Sequence, residues 1–145
     1  MKRKAQAVWR GQGGTGSGTI STPNSGLFKD QPYSAKLRFE NEDGRAGTNP
    51  EELIAAAHAG CYSMALSFGL TGAGFTPDEI NTDADLTMNK GDAGWTIESV
   101  HLTTRARVPG ISEQQFKEIA EKSKAGCPVS RALNVKITLD ATLQS

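Results

Sequence analysis

The first third of the chain alternates polar and apolar residues in three short segments, which is the pattern of β-strands. The alternation covers residues 4–10 and 19–22 and returns at residues 33–39. A glycine-rich segment, residues 11–18, separates the first two, and Pro23-Asn24-Ser25-Gly26 marks a turn before the third. The pattern predicts a hairpin followed by a third strand.

A long helix is predicted next, starting at Pro50 and continuing through residues 53–70. Asn49 is a suitable N-cap, Pro50 suits the first helical position, and Glu52 stands where a capping box places its carboxylate. The segment is apolar or small on nearly every side. A helix without a broad polar face is expected to be buried in the core or in a subunit interface.

The second half of the chain alternates again and then becomes helical. Ser112 with Gln115 forms a capping box. The predicted elements are strands at 80–89 and 94–108, a helix from Ser112 to Gly126, a short helix opening at Cys127, and a strand at 135–143. Strands in two blocks interrupted by helices indicate an α+β fold. We expect residues 1–145 to form one domain.

Composition and charge exclude several classes of protein. Apolar residues make up 37% of the 145 positions, and sixteen basic residues balance sixteen acidic ones. No global charge therefore attracts the chain to nucleic acid or an anionic membrane. Residues 1–4 are basic but no apolar stretch follows them, and residues 53–70 carry several polar side chains. We expect neither secretion nor a membrane span, and a cytoplasmic location.

One glycine motif suggests a nucleotide site but lacks the context. Gly11, Gly13 and Gly16 match G-x-G-x-x-G, and Asp30 follows at a suitable distance. A dinucleotide site needs a helix to begin at these glycines, and residues 21–26 exclude a useful one. We therefore expect a flexible hairpin.

The candidate chemistry lies in two cysteines, 66 positions apart, which are either core thiols or a redox pair. Cys127 precedes a proline at a helix start, where backbone amides stabilise a thiolate. His58 lies three residues before Cys61, so a Cys–His catalytic pair is a second possibility. A metal site has no evident third ligand.

At these residues the chain resembles the OsmC/Ohr family, the osmotically inducible and organic hydroperoxide resistance proteins. His58 and Val129 favour the OsmC branch. The likeness covers essentially the whole chain, and its matching segments are residues 48–53 (TNPEEL), 57–66 (AHAGCYSMAL), 125–130 (AGCPVS) and 137–140 (ITLD).

This resemblance implies an OsmC-like fold, with antiparallel sheets around a long buried central helix, in an intertwined homodimer whose active sites lie at the subunit interface. It implies that Cys61 attacks the peroxide and Cys127 resolves the product. It assigns the cation to Arg38, with Arg10 as the second candidate, and the partner carboxylate to Glu51. The implied activity is reduction of organic hydroperoxides in oxidative and osmotic stress defence. No cofactor or metal is implied, and the reductant would be a lipoyl-type dithiol.

Further expectations accompany this assignment. Glu51 and Cys61 share one site only if the helix breaks, near Gly60, or if Arg38 joins them across the interface. We predict a break or offset between residues 55 and 61. Apolar neighbours (Met64, Phe68 and Tyr62) would favour alkyl hydroperoxides. A peroxidase would not need His58. Two alternative functions remain possible: an acyl-transfer hydrolase that uses Cys61 with His58, and a non-catalytic stress protein that binds lipid.

Overall fold

The α+β class is confirmed by the computed structural model, which describes all 145 residues. The chain forms two compact units, Met1–Leu53 and Ile54–Ser145. Its elements are β1 (Gln6–Arg10), β2 (Ser17–Ser21), β3 (Gln31–Ser34), α1 (Ala35–Phe39), α2 (Pro50–Gly72), β4 (Glu79–Gly91), β5 (Gly94–Arg107), α3 (Glu113–Gly126), α4 (Pro128–Ala132) and β6 (Lys136–Gln144).

The first unit is built on an antiparallel sheet in the order β1-β2-β3. The glycine-rich segment serves the predicted hairpin, because a Cβ on Gly18 would overlap the carbonyl oxygen of Val8 on the paired strand. A Cβ on Gly16 would meet the carbonyl oxygens of Gln12 and Arg10. These glycines therefore permit close backbone approach between the strands.

The prediction of one strand over residues 33–39 is wrong. Strand β3 ends at Ser34, and the next five residues form helix α1. The Ser34 hydroxyl accepts a hydrogen bond of 3.0 Å from the Leu37 amide and so caps this helix. Apolar residues at 33, 35, 37 and 39 imitate a strand, but a capping serine ahead of good helix formers decides the local conformation.

Helix α2 starts as predicted and runs without interruption for 23 residues. The Asn49 side chain accepts a 2.8 Å hydrogen bond from the Glu52 amide, which confirms the cap. The expected break between residues 55 and 61 is wrong, because every residue there is helical.

Only one stripe of α2 is buried within the chain. His58, Tyr62, Leu66 and Leu70 form it, four residues apart, and the last three pack into the core of the second unit. Other apolar residues of α2 remain exposed: Met64 keeps 64% and Phe68 73% of its surface accessible. The expectation that α2 is buried on nearly all sides is therefore not met within a single chain.

The length and composition of α2 bear on the expectation that the chain has no membrane span. Its most apolar 18-residue window has a mean hydropathy of 1.4, so by these two criteria the helix is able to span a bilayer. The core helix of a soluble protein meets the same criteria. In the single chain 22% of this window is buried, and its buried residues pack against residues of β5 and α3.

The second unit contains a sheet in the order β4-β5-β6. Strands β4 and β5 form the predicted antiparallel pair, but β6 lies parallel to β5. The expectation of purely antiparallel sheets is wrong here because α3 and α4 form a crossover that returns the chain to the same end of the sheet. The core contains α2, α3 and the inner face of β5.

Replacement of Leu66 by alanine tests this core. Leu66 is fully buried, so we expect Leu66→Ala to lower the free energy of unfolding by about 2–5 kcal/mol. Leu27→Ala is the matched control, because Leu27 is 77% exposed and its loss is expected to change stability by no more than about 0.5 kcal/mol. Urea denaturation followed by circular dichroism measures both. Equal effects would contradict the proposed core.

Candidate active site

The two cysteines meet in the second unit. Cys61 lies on α2, and Cys127 lies between the end of α3 and the start of α4. Their sulfur atoms are 3.2 Å apart and joined by a hydrogen bond, although 66 positions separate them in the chain. The S–S bond of a disulfide is about 2.05 Å long, so an approach of roughly 1 Å would join them.

Close packing of α3 on α2 produces this contact. A Cβ on Gly69 of α2 would stand 2.9 Å from the Ser123 hydroxyl and 3.0 Å from a methyl group of Ile119, so glycine lets α3 approach. The capping box of Ser112 and Gln115 fixes the start of α3. Cys127 then ends α3 and precedes Pro128, which opens α4.

The two thiols have opposite pKa shifts. Burial raises the pKa of Cys61; a hydrogen bond from the Val129 backbone opposes this, and Cys127 raises it further. Burial also raises the pKa of Cys127, but hydrogen bonds from the Ser130 backbone, Cys61, the Ser130 hydroxyl and the Val129 backbone outweigh it and lower this pKa overall. No cation within residues 54–145 lowers the pKa of Cys61. Cys127 is thus the more easily ionised thiol of the pair.

His58 interacts with Ser130 rather than with Cys61. Its Nε2 lies 2.7 Å from the Ser130 hydroxyl oxygen, while its buried Nδ1 has no hydrogen-bond partner. The Cys61–His58 pair required by the hydrolase hypothesis is therefore not formed. Sequence reasoning missed Ser130, although its position three residues after Cys127 at a helix start was a usable signal.

The candidate cation and carboxylate meet in the first unit. Arg38 Nη2 donates a 2.6 Å hydrogen bond to Glu51 Oε1, and Arg38 Nε lies 3.2 Å from both carboxylate oxygens. The guanidinium carbon also lies 4.9 Å from the centre of the Phe39 ring. Glu51 therefore holds Arg38 in a bidentate pair. Arg10, the second candidate, is exposed on β1.

A cavity of about 240 Å³ lies beside this pair. Trp9, Tyr33 and Phe39 supply its aromatic walls, and Arg38 lines it too. The Trp9 and Tyr33 ring centres are 5.3 Å apart. The first unit thus contains an apolar recess with one cation.

The positions of Tyr62 and Glu51 differ from the expectation that both belong to the site of Cys61. Tyr62 is fully buried, and its hydroxyl donates a 3.4 Å hydrogen bond to the Ala120 carbonyl, so it is a core residue rather than part of a substrate surface. Ten residues of continuous helix separate Glu51 from Cys61, which corresponds to about 15 Å of rise. A single copy of α2 therefore does not bring both into one small site.

The sequence comparisons agree with one another. The family model described as OsmC-like protein matches residues 41–141. Peroxiredoxin OsmC of Escherichia coli K12 is 52% identical over 145 residues, covering 100% of this chain and 99% of that protein. The organic hydroperoxide resistance protein of Xanthomonas axonopodis pv. citri is 30% identical over 121 residues, covering 81% and 83%.

The solved structures give the same result for the fold. The organic hydroperoxide resistance protein OhrB of Bacillus subtilis is similar with a TM-score of 0.66 and 25% identity, covering 97% of this chain and 98% of that one. The OsmC-like protein of Mycoplasma pneumoniae has a TM-score of 0.76 at 16% identity, covering 100% and 99%, and supports the fold alone.

Controlled oxidation tests the thiol contact. We expect one equivalent of diamide to link Cys61 to Cys127 within one chain, because only about 1 Å of approach is required. Non-reducing electrophoresis should show a compact monomer, and mass spectrometry of the tryptic digest should recover the linked peptide. Cys127→Ser is the control and should not form this product. Oxidation that gives only intermolecular disulfides would contradict the geometry.

Proposed function

The chain belongs to the OsmC-like protein family, and we propose that it is a thiol-dependent peroxidase in which Cys61 attacks organic hydroperoxides and Cys127 resolves the oxidised product. The observation that carries this proposal is the 3.2 Å contact between two sulfurs that are remote in sequence. The family relatives are named as a peroxiredoxin and as organic hydroperoxide resistance proteins. The whole chain acts as one peroxidase domain.

The reaction takes two steps. The Cys61 thiolate attacks the terminal oxygen of R–O–O–H; the O–O bond breaks, the alkoxide takes up a proton and leaves as alcohol, and Cys61 becomes a sulfenic acid. Cys127 then attacks the Cys61 sulfur, the S–O bond breaks, water leaves and a disulfide forms. A dithiol returns both cysteines to thiols by exchange. A lipoyl-type dithiol is the proposed reductant.

Activation of Cys61 requires a cation that its own unit does not supply. Burial raises the pKa of Cys61, and a guanidinium placed beside the sulfur would lower it. We assign this role to Arg38, oriented by Glu51 and contributed by a second copy of the chain. This arrangement is compatible with the ten residues of continuous helix between Glu51 and Cys61, because the two residues of one site then come from different copies.

The exposed face of α2 supports the homodimer. Met64 and Phe68 follow Cys61 at helical spacing on this face and are largely exposed in the single chain. Contiguous apolar surface of this kind is typical of protein–protein contacts. The same side chains next to Cys61, with the aromatic cavity beside Arg38, would favour alkyl and fatty acid hydroperoxides over hydrogen peroxide. The proposed location of this soluble protein is the cytoplasm.

Cysteine variants separate the two steps. With cumene hydroperoxide and dihydrolipoamide, Cys61→Ser should lose turnover, because no thiol remains to attack. Cys127→Ser should consume one equivalent of peroxide and retain Cys61 as a sulfenic acid that dimedone labels, since nothing resolves it. Mass spectrometry and a peroxide assay measure both. Full turnover by Cys61→Ser would contradict the assignment of Cys61 as the attacking thiol, whereas absence of turnover in the wild type would favour the non-catalytic hypothesis.

Complementation between subunits tests Arg38. Arg38→Ala should lower kcat/KM by about 100-fold, as does loss of one hydrogen-bond donor to a transition state. Co-expression of Arg38→Ala and Cys61→Ser chains should restore about a quarter of wild-type activity, because random pairing gives half heterodimers with one intact site each. Lys117→Ala, which removes an exposed surface cation, is the control and should match wild type. Failure to complement would show that Arg38 acts within its own chain.

A further inference from the structure

A groove between α2 and α3 begins beside the two thiols and has a volume of about 570 Å³. Its end nearest the cysteines is formed by Ala65, about one helical turn after Cys61, and by Gly126, which directly precedes Cys127. From there the groove follows α2 to Gly72, about 10 Å beyond Ala65. A cavity of this size next to a reacting sulfur is large enough to hold part of a substrate.

The groove is apolar along most of its length and open at its far end. Phe68 of α2 and Ile119 of α3 supply its walls. A Cβ built on Gly72 would meet no atom within 4 Å, and the backbone of Gly72 does not have a positive φ. Neither crowding nor backbone conformation therefore requires glycine at this position. What the glycine provides is open space in the groove.

Ser123 places a polar group on the floor of this groove. Its side chain keeps only 7% of its surface accessible, and its hydroxyl makes no hydrogen bond within the chain. The hydroxyl points towards α2, because a Cβ on Gly69 would stand 2.9 Å from its oxygen. Gly69 lies about 12 Å beyond Cys61 along the helix. The groove thus presents an unused hydrogen-bond donor about 12 Å from the attacking sulfur.

Lys122, the neighbour of Ser123 on α3, supplies the one charged side chain that lines the groove. It forms no salt bridge, whereas Lys117 and Lys124 of the same helix each pair with a glutamate. An unpaired ammonium group beside a buried hydroxyl suits a carboxylate, which accepts hydrogen bonds from both. The groove therefore joins a reacting sulfur at one end to an anion-binding pair at the other through an apolar passage.

We propose that this groove binds the acyl chain of fatty acid hydroperoxides and that Lys122 is a specificity-determining residue, which selects substrates whose carboxylate is remote from the hydroperoxide. The hydroperoxide group would lie at Cys61, the methylene chain along the groove, and the carboxylate at Lys122 and Ser123. This inference rests on the proposed peroxidase function and deepens it, because it names the substrate class and the residue that recognises it.

A second copy of the chain is the alternative occupant of the groove, because Phe68 also belongs to the apolar face assigned to the homodimer. Two observations favour the substrate. The groove is continuous with both thiols, and it contains a cation without a partner, whereas lysine is depleted in the cores of protein–protein contacts. In the homodimer Phe68 would then form the boundary between the groove and the subunit contact.

Comparison of an acid with its ester tests Lys122. Linoleic acid hydroperoxide and its methyl ester are supplied below their critical micelle concentrations, with dihydrolipoamide as reductant, and kcat/KM is measured for each. The wild type should prefer the acid, and Lys122→Gln should lower this preference by up to about fivefold, which is the contribution of an exposed ion pair. The loss should appear in KM and shrink at high salt, because the interaction is electrostatic and screened. Lys117→Gln, which removes the same charge from α3 outside the groove, is the matched control and should keep the wild-type preference.

Gly72→Leu tests the groove itself, because leucine would fill its far end. With linear alkyl hydroperoxides of increasing length, the KM of the wild type should fall by up to about fourfold for each methylene that enters the groove. In Gly72→Leu this gain should stop at a shorter chain. Gly72→Ala is the graded comparison, since its smaller side chain should stop the gain later than leucine does.

The outcomes separate the substrate assignment from the peroxidase function. An acid preference that Lys122→Gln leaves unchanged, or a chain-length dependence that Gly72→Leu leaves unchanged, overturns the groove assignment, while turnover of cumene hydroperoxide still supports the peroxidase. Loss of the wild-type dimer in Gly72→Leu, measured by size-exclusion chromatography with light scattering, would show that a second copy occupies the groove and also overturns the assignment. Absence of turnover with every hydroperoxide overturns both proposals.

Discussion

The contact between two sulfurs is the interaction on which the proposed chemistry of this protein depends. Helix α2 carries one thiol, and the junction between α3 and α4 carries the other. The sulfurs meet because α3 packs closely on α2 at Gly69, where a larger residue would push the helices apart. A redox pair of this kind needs no metal or organic cofactor, since both electrons of the peroxide reduction come from the thiols.

The same packing gives the two thiols different electrostatic environments. Cys127 lies where backbone amides and the Ser130 hydroxyl stabilise its thiolate, whereas burial makes ionisation of Cys61 unfavourable. The lowered pKa would make Cys127 a good leaving group when a disulfide between the two is reduced. In the proposed mechanism, Cys61 needs a cation from a second copy of the chain before it can attack. The roles proposed for the two cysteines thus follow from their surroundings and not from their residue type.

Helix α2 connects this chemistry to assembly. One stripe of it stabilises the core, and the opposite face leaves Met64 and Phe68 in solvent. Ten residues of this uninterrupted helix separate Glu51, which binds Arg38, from Cys61. In the proposed homodimer, a second copy of the chain would cover the apolar face and also supply the cation, which would link assembly to activation of the thiol.

The sequence alone determined the local structure where signals are local: the caps of α2 and α3, the hairpin of β4 and β5, the glycines of the first hairpin, and the two cysteine motifs with their family. Tertiary structure decided the rest. The alternation of polar and apolar residues did not distinguish β3 from α1, because the Ser34 cap favours a helix there. The parallel pairing of β6 with β5 depends on the path of the crossover formed by α3 and α4. Hydrophobicity identified α2 as buried but not which face its own chain covers. The hydrogen bond between His58 and Ser130 joins residues 72 positions apart, and no periodicity encodes a contact made only when two helices pack.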